Sequence, residues 1–126
     1  MEFVRDRLAP ELTAFIPKDH QQEGYDLEAT RLATNATICL EVKGHKKEEP
    51  VELVGNEPQA AQQAKQKGEE FWLAVVPGIP ENPQLWVVED PLAAGEHKIV
   101  TLDVSKWRSR GRRVVCLRQF KERATR

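Results

Sequence analysis

A chain of 126 residues, 40% apolar and 31% charged, makes one globular domain with a modest core. This composition excludes collagen-like and disordered polymers, and no run of about 18 apolar residues is present to span a membrane. The net charge of −1 hides an asymmetry. Residues 105–126 carry nine Lys/Arg and one Glu, while residues 1–104 carry ten basic and nineteen acidic side chains. A basic end on an acidic body either faces a polyanion or is a solvated terminus.

The opening Met1-Glu2-Phe3-Val4-Arg5 lacks the apolar stretch of a signal peptide. Cys39 and Cys116 both sit in apolar runs without close Cys/His partners, which argues against zinc. Buried free thiols, and with them a cytoplasmic setting, are expected rather than a disulfide.

In chain order, Phe3, Val4, Leu8 and Leu12 have helical spacing, and Pro10 ends the helix before it. An apolar helix so close to the first residue is what a domain cut from a longer protein would show. Thr13 to Pro17 reads as a short strand, and Lys18 to Gly24 as a polar connector carrying His20. Tyr25, Leu27 and Ala29 alternate with Asp26, Glu28 and Thr30, and Ile38, Leu40 and Val42 alternate with Cys39, Glu41 and Lys43. Both patterns are half-buried strands, so segments 25–31 and 36–44 form a hairpin turning near Thr34-Asn35.

A charged loop to Pro50 leads into a short strand at 51–54. Asn56 as N-cap, Pro58 in the first turn, Gln59 at capping-box spacing and Gly68 as terminator then mark a helix. Phe71 to Val76 is almost continuously apolar, the pattern of a strand covered on both sides, and Leu85 to Val88 is its hairpin partner. Further strands are expected at 99–104 and 114–117. The order describes a mixed α/β layer rather than regular βαβ winding. Residues 1–104 form its body, and 105–126 a basic C-terminal strand and tail of the same domain.

Glu41 and Lys43 share one strand face. Glu-x-Lys is a weak signal by itself: with 15 Glu and nine Lys about one arises by chance, and a second stands at Glu96-His97-Lys98. The context distinguishes the first. If the hairpin forms, Asp26 and Glu41 converge at one end. Their carboxylates, with a backbone carbonyl such as that of Val42, suit Mg²⁺ or Mn²⁺. Lys43 would then help deprotonate the attacking water or steady charge on a phosphate. The bland alternative is a metal-free ion pair. His20, His45 and His97 do not cluster in sequence and read as surface, with His45 the one near the proposed site.

The segment Gly24-Tyr25-Asp26-Leu27-Glu28 … Leu40-Glu41-Val42-Lys43-Gly44 resembles the C-terminal domain family named after the plant protein NO VEIN. The likeness continues through Val51-Glu52-Leu53, Asn56-Glu57, Ala61, Ala64, Gly68, Phe71 to Val76 and Asp90-Pro91. That family belongs to the restriction-endonuclease-like, or PD-(D/E)XK, nuclease superfamily. The resemblance implies a central mixed β-sheet flanked by helices, with Asp26, Glu41 and Lys43 in the metal-binding and catalytic positions. A further acid often stands in the superfamily's first helix, and Glu2 is the candidate. Such domains are often fused to helicase or ATPase modules in restriction and defence proteins.

Two functions therefore compete. One is a Mg-dependent DNA endonuclease, which acts as a homodimer in one form of this expectation. Lys46, Lys47, Lys106, Trp107, Arg108, Arg110, Arg112 and Arg113 would meet the nucleic acid, with Trp107 offering a stacking face. The other is a catalytically inactive nuclease-fold module for docking DNA or protein.

Overall fold

A computed structural model describes residues 2–92 and 99–115. The expected strand at 114–117, Cys116, the second Glu-x-Lys and the end of the basic tail fall wholly or partly outside these residues.

Alternating apolar positions build a six-stranded mixed sheet. Its strands are β1 (Leu12–Pro17), β2 (Leu27–Arg31), β3 (Thr37–His45), β5 (Glu70–Pro77), β6 (Leu85–Val88) and β8 (Arg112–Val114), ordered β1-β2-β3-β5-β6-β8. Leu27 pairs with Leu40 and Thr30 with Thr37 in the antiparallel β2–β3 hairpin. β3 runs parallel to β5, with Lys43 level with Val75, and the crossover is α3 (Glu57–Gln66). Gly68 takes a φ of +76° just past α3, a left-handed turn that costs a glycine little.

The sheet is covered on both faces. Helix α1 (Glu2–Leu8) buries Val4 and Leu8 against Leu27, Ile38, Leu40 and Trp72. On the other face Ala60, Ala61 and Ala64 of α3 lie on Cys39, Phe71 and Leu73, small side chains that let the helix approach closely. Every residue of β5 from Phe71 to Pro77 is buried, as its apolar run requires. Burial pushes the Cys39 thiol up to about 11, so it packs as a small apolar group.

Four local expectations change. The connector before β2 contains a helical turn, α2 (His20–Glu23), capped by Asp19, whose side chain accepts from the Gln21 N–H. Asn56 does not cap α3; its amide donates to the carbonyls of His20 and Gln21 instead. Strand β4 (Val51–Leu53) leaves the main sheet and pairs antiparallel with β7 (Val100–Leu102). The segment expected as strand to Val104 stops at Leu102, and α4 (Val104–Arg110) follows. Asp103 caps α4 by accepting from the Lys106 N–H, so part of the basic terminus is an ordered helix leading into edge strand β8.

Candidate active site

Strand alternation sends Glu41 and Lys43 to the α3 face of the sheet, where Glu41 is 2% exposed. Asp26 stands just before β2, opposite the end of that pairing. Its N–H donates to the Leu40 carbonyl, and its Oδ2 accepts the Val42 N–H at 2.8 Å. The N–H and C=O of one strand residue point to the same edge. The Val42 carbonyl therefore also faces the Asp26 side, past the end of β2.

Two residues that sequence reasoning left out complete the group. Glu57, in the first turn of α3, is 3% exposed, and the Lys43 Nζ donates to both its oxygens at 2.9 and 3.0 Å. Glu57 also accepts the Val54 N–H at 2.9 Å. His20, expected on the surface, extends from α2 over the acids: its Nε2 lies 2.8 Å from Glu57 Oε2 and 3.2 Å from Glu41 Oε1. Ligand atoms of His20, Asp26 and Glu41 all fall within 4.8 Å of one another, the only such His/Cys/Asp/Glu group among the described residues. Glu2 is outside it, exposed on α1, whose packed side lies on the opposite sheet face. His45 is also elsewhere, paired with Glu49.

Burial, then the neighbouring Asp26 and Glu57 carboxylates, push Glu41 up to about 9 against the pull of Lys43. Burial alone would raise Glu57 too, but the Lys43 and Val54 hydrogen bonds outweigh it and hold that carboxyl below the usual range. Burial works to lower Lys43, and Glu57 and Glu41 together keep it above its ordinary value. Glu41 Oε1 is buried and accepts no hydrogen bond. A divalent cation fits this donor set: it would occupy the orphaned oxygen and favour the ionised Glu41 that burial now opposes.

A stability effect follows for the metal-free protein. Glu41 has a higher pKa folded than its ordinary 4.5, so the folded state holds the extra proton between 4.5 and about 9. Stability should fall as pH rises through that window, and Glu41→Gln should flatten the fall. Urea midpoints measured at pH 5, 7 and 9 in chelator check this; parallel profiles for both proteins would refute it.

The candidate nucleic-acid residues separate. Lys46 and Lys47 are exposed in the loop after β3, at the Lys43 end of the sheet. Lys106 and Arg113 are exposed, Arg108 pairs with Glu48 of that loop, and Arg110 donates to the Asp90 carbonyl. Arg112 is committed elsewhere, held by Glu11 and Glu89, with its guanidinium 5.3 Å from the Trp72 ring. Trp107 is corrected outright: it is 0% exposed, stacks edge-on to Trp86 at 5.7 Å and donates Nε1–H to the Glu49 carbonyl. It has no face to offer a base.

A family model described as protein NO VEIN, C-terminal, matches residues 1–88. The chain belongs to this NO VEIN C-terminal family. Among solved structures, the Holliday junction resolvase Hjc of Archaeoglobus fulgidus is similar at TM-score 0.59 and 20% identity, over 89% of this chain and 88% of that one. The NO VEIN C-terminal domain described here therefore has a restriction-endonuclease-like fold, a mixed sheet between helices. No curated protein matches the sequence significantly. Among the described residues, no helix is long and apolar enough to cross a membrane.

Proposed function

We propose that this domain is a metal-dependent DNA endonuclease, with Asp26, Glu41 and the Val42 carbonyl holding Mg²⁺ or Mn²⁺. The observation that carries the reading is the meeting of Asp26, Glu41 and Lys43 at one end of a nuclease-fold sheet. A bound ion would polarise the scissile phosphate and lower the pKa of a water. Asp26 fixes the backbone of β3 through Val42, which orients the carbonyl. Lys43 lies 3.4 Å from Glu41 and would steady the charge that develops on phosphate oxygens, or move a proton to or from the water. Glu57 positions that ammonium. Fusion to helicase or ATPase domains in a restriction or defence protein, and a homodimeric cytoplasmic assembly, extend this proposal.

One observation favours the inactive docking module: the Lys43 ammonium is already engaged by both oxygens of Glu57. Incubating linear, branched and single-stranded DNA with the domain in Mg²⁺ or Mn²⁺ separates the two. Ion-dependent cleavage lost in Asp26→Asn supports the nuclease; no cleavage of any substrate and no ion-dependent thermal shift would leave the docking module.

Sequence-independent affinity is assigned to Lys46, Lys47, Lys106 and the residues beyond Val115. Each phosphate contact contributes about 0.9 to the log–log salt slope. Lys46→Ala with Lys47→Ala should thus flatten the slope by about 1–2, and a chain ending at residue 115 should flatten it further with β8 retained. Unchanged slopes in fluorescence-anisotropy titrations would remove these residues from the interface.

A further inference from the structure

Resting on the nuclease reading, we propose that His20 is a protein ligand of the ion held by Asp26 and Glu41. It makes the centre prefer a first-row transition ion, for which Mn²⁺ is the probe, over Mg²⁺. The position of His20 is built rather than incidental. Gly24, at φ +79°, ends α2 so close to α3 that a Cβ there would stand 2.6 Å from the Asn56 carbonyl oxygen and 2.8 Å from the Ala60 Cβ. The Asn56 amide ties down the α2 carbonyls of Gln21 at 2.9 Å and His20 at 3.3 Å. Together these contacts press a single helical turn onto the start of α3 and direct its histidine over the acids.

The ring nitrogen is correctly placed for a shared ion. Donor atoms on one divalent ion stand up to roughly 4.2 Å apart. The His20, Asp26 and Glu41 atoms, within 4.8 Å, need only a small rotation of side chains. An independent sign comes from Glu41 Oε1, buried without a hydrogen-bond partner 3.2 Å from Nε2. The His20 side chain is 40% exposed, which leaves its ring free to turn from Glu57 toward the ion. Glu57 does not become an unpaired buried charge when the ring turns, because Lys43 and the Val54 N–H remain on it. Mg²⁺ prefers hard oxygen ligands, whereas an imidazole nitrogen shifts a carboxylate site toward transition ions. The competing role, in which His20 only neutralises Glu57, predicts no nitrogen on the ion and no selectivity.

The test is ion binding by calorimetry and by Mn²⁺ electron paramagnetic resonance, in wild type, His20→Gln and Asp26→Asn, with circular dichroism confirming the fold. Wild type should bind Mn²⁺ at least about tenfold more tightly than Mg²⁺ and show ¹⁴N coupling to bound Mn²⁺. His20→Gln should lose that coupling and about tenfold in Mn²⁺ affinity, with Mg²⁺ affinity changed by less than about twofold. Equal Mn²⁺ affinities in wild type and His20→Gln, with binding still lost in Asp26→Asn, would overturn the histidine ligand and leave the nuclease reading intact. Failure of wild type to bind either ion at millimolar concentration would overturn both.

Discussion

Lys43→Gln is expected to slow single-turnover DNA cleavage by about 10²–10⁴-fold at saturating Mg²⁺, the range for losing a positioned acid–base or charge-stabilising group. Two effects must be separated, because Lys43 is also the half-buried partner of the buried Glu57. Removing one member of a fully buried pair costs about 3–5 kcal/mol. Lys43 is half-buried, and His20 and the Val54 N–H stay on Glu57, so the cost here falls below that range. Lys43→Gln therefore loses stability as well as rate. Lys43→Arg resolves the two roles: its guanidinium keeps a cation beside Glu57 and should preserve the urea midpoint, yet it does not give up a proton at accessible pH. If the ammonium transfers a proton, the arginine variant is as slow as the glutamine variant while remaining stable. If it only stabilises charge, arginine recovers much of the rate. Full activity in Lys43→Gln would remove the lysine from the chemistry and leave it a structural partner of Glu57. Glu41→Ala should instead abolish ion binding and cleavage together, because it removes a ligand.

The hairpin that brings Asp26 to Glu41 was legible because both strands alternate and lie next to each other in sequence. The same alternation placed Glu41 and Lys43 on one face. His20 was not legible, because it sits in a polar connector without periodicity and meets Glu57 across 37 positions of chain. Glu57 reads as an ordinary first-turn acid of a helix; only its burial beside Lys43 marks it. Asn56 had the right type and place for a cap, but the carbonyls of α2 took its amide. β4 and β7 carry ordinary strand patterns, and nothing local says that they pair with each other rather than join the main sheet. Helix α4 did leave a signal: Asp103 as cap, Val104 and Trp107 at i and i+3, and Gly111 after the last turn.

The second large effect concerns Trp107, whose place among Lys106, Arg108 and Arg110 suggested nucleic acid and whose burial assigns it to the core. Trp107→Ala should destabilise the domain by about 3–5 kcal/mol, the range for removing a large aromatic side chain from a packed interior. Three losses combine there. The ring buries apolar surface among Leu53, Leu73 and Val100, makes an edge contact with Trp86, and anchors the loop after β3 through the Glu49 carbonyl. That last bond matters for function, since the anchored loop carries Lys46 and Lys47. Trp107→Phe keeps much of the apolar volume and loses the N–H, so it should cost less stability while loosening the loop. Its DNA affinity should then fall only as far as the loop lysines lose their placement. Urea denaturation and anisotropy titration of wild type, Trp107→Phe and Trp107→Ala measure both quantities. A Trp107→Ala domain as stable as wild type, with DNA affinity sharply reduced and tryptophan fluorescence of the wild type quenched on binding, would place the ring at the DNA instead. The 0% exposure and the Glu49 hydrogen bond predict the opposite.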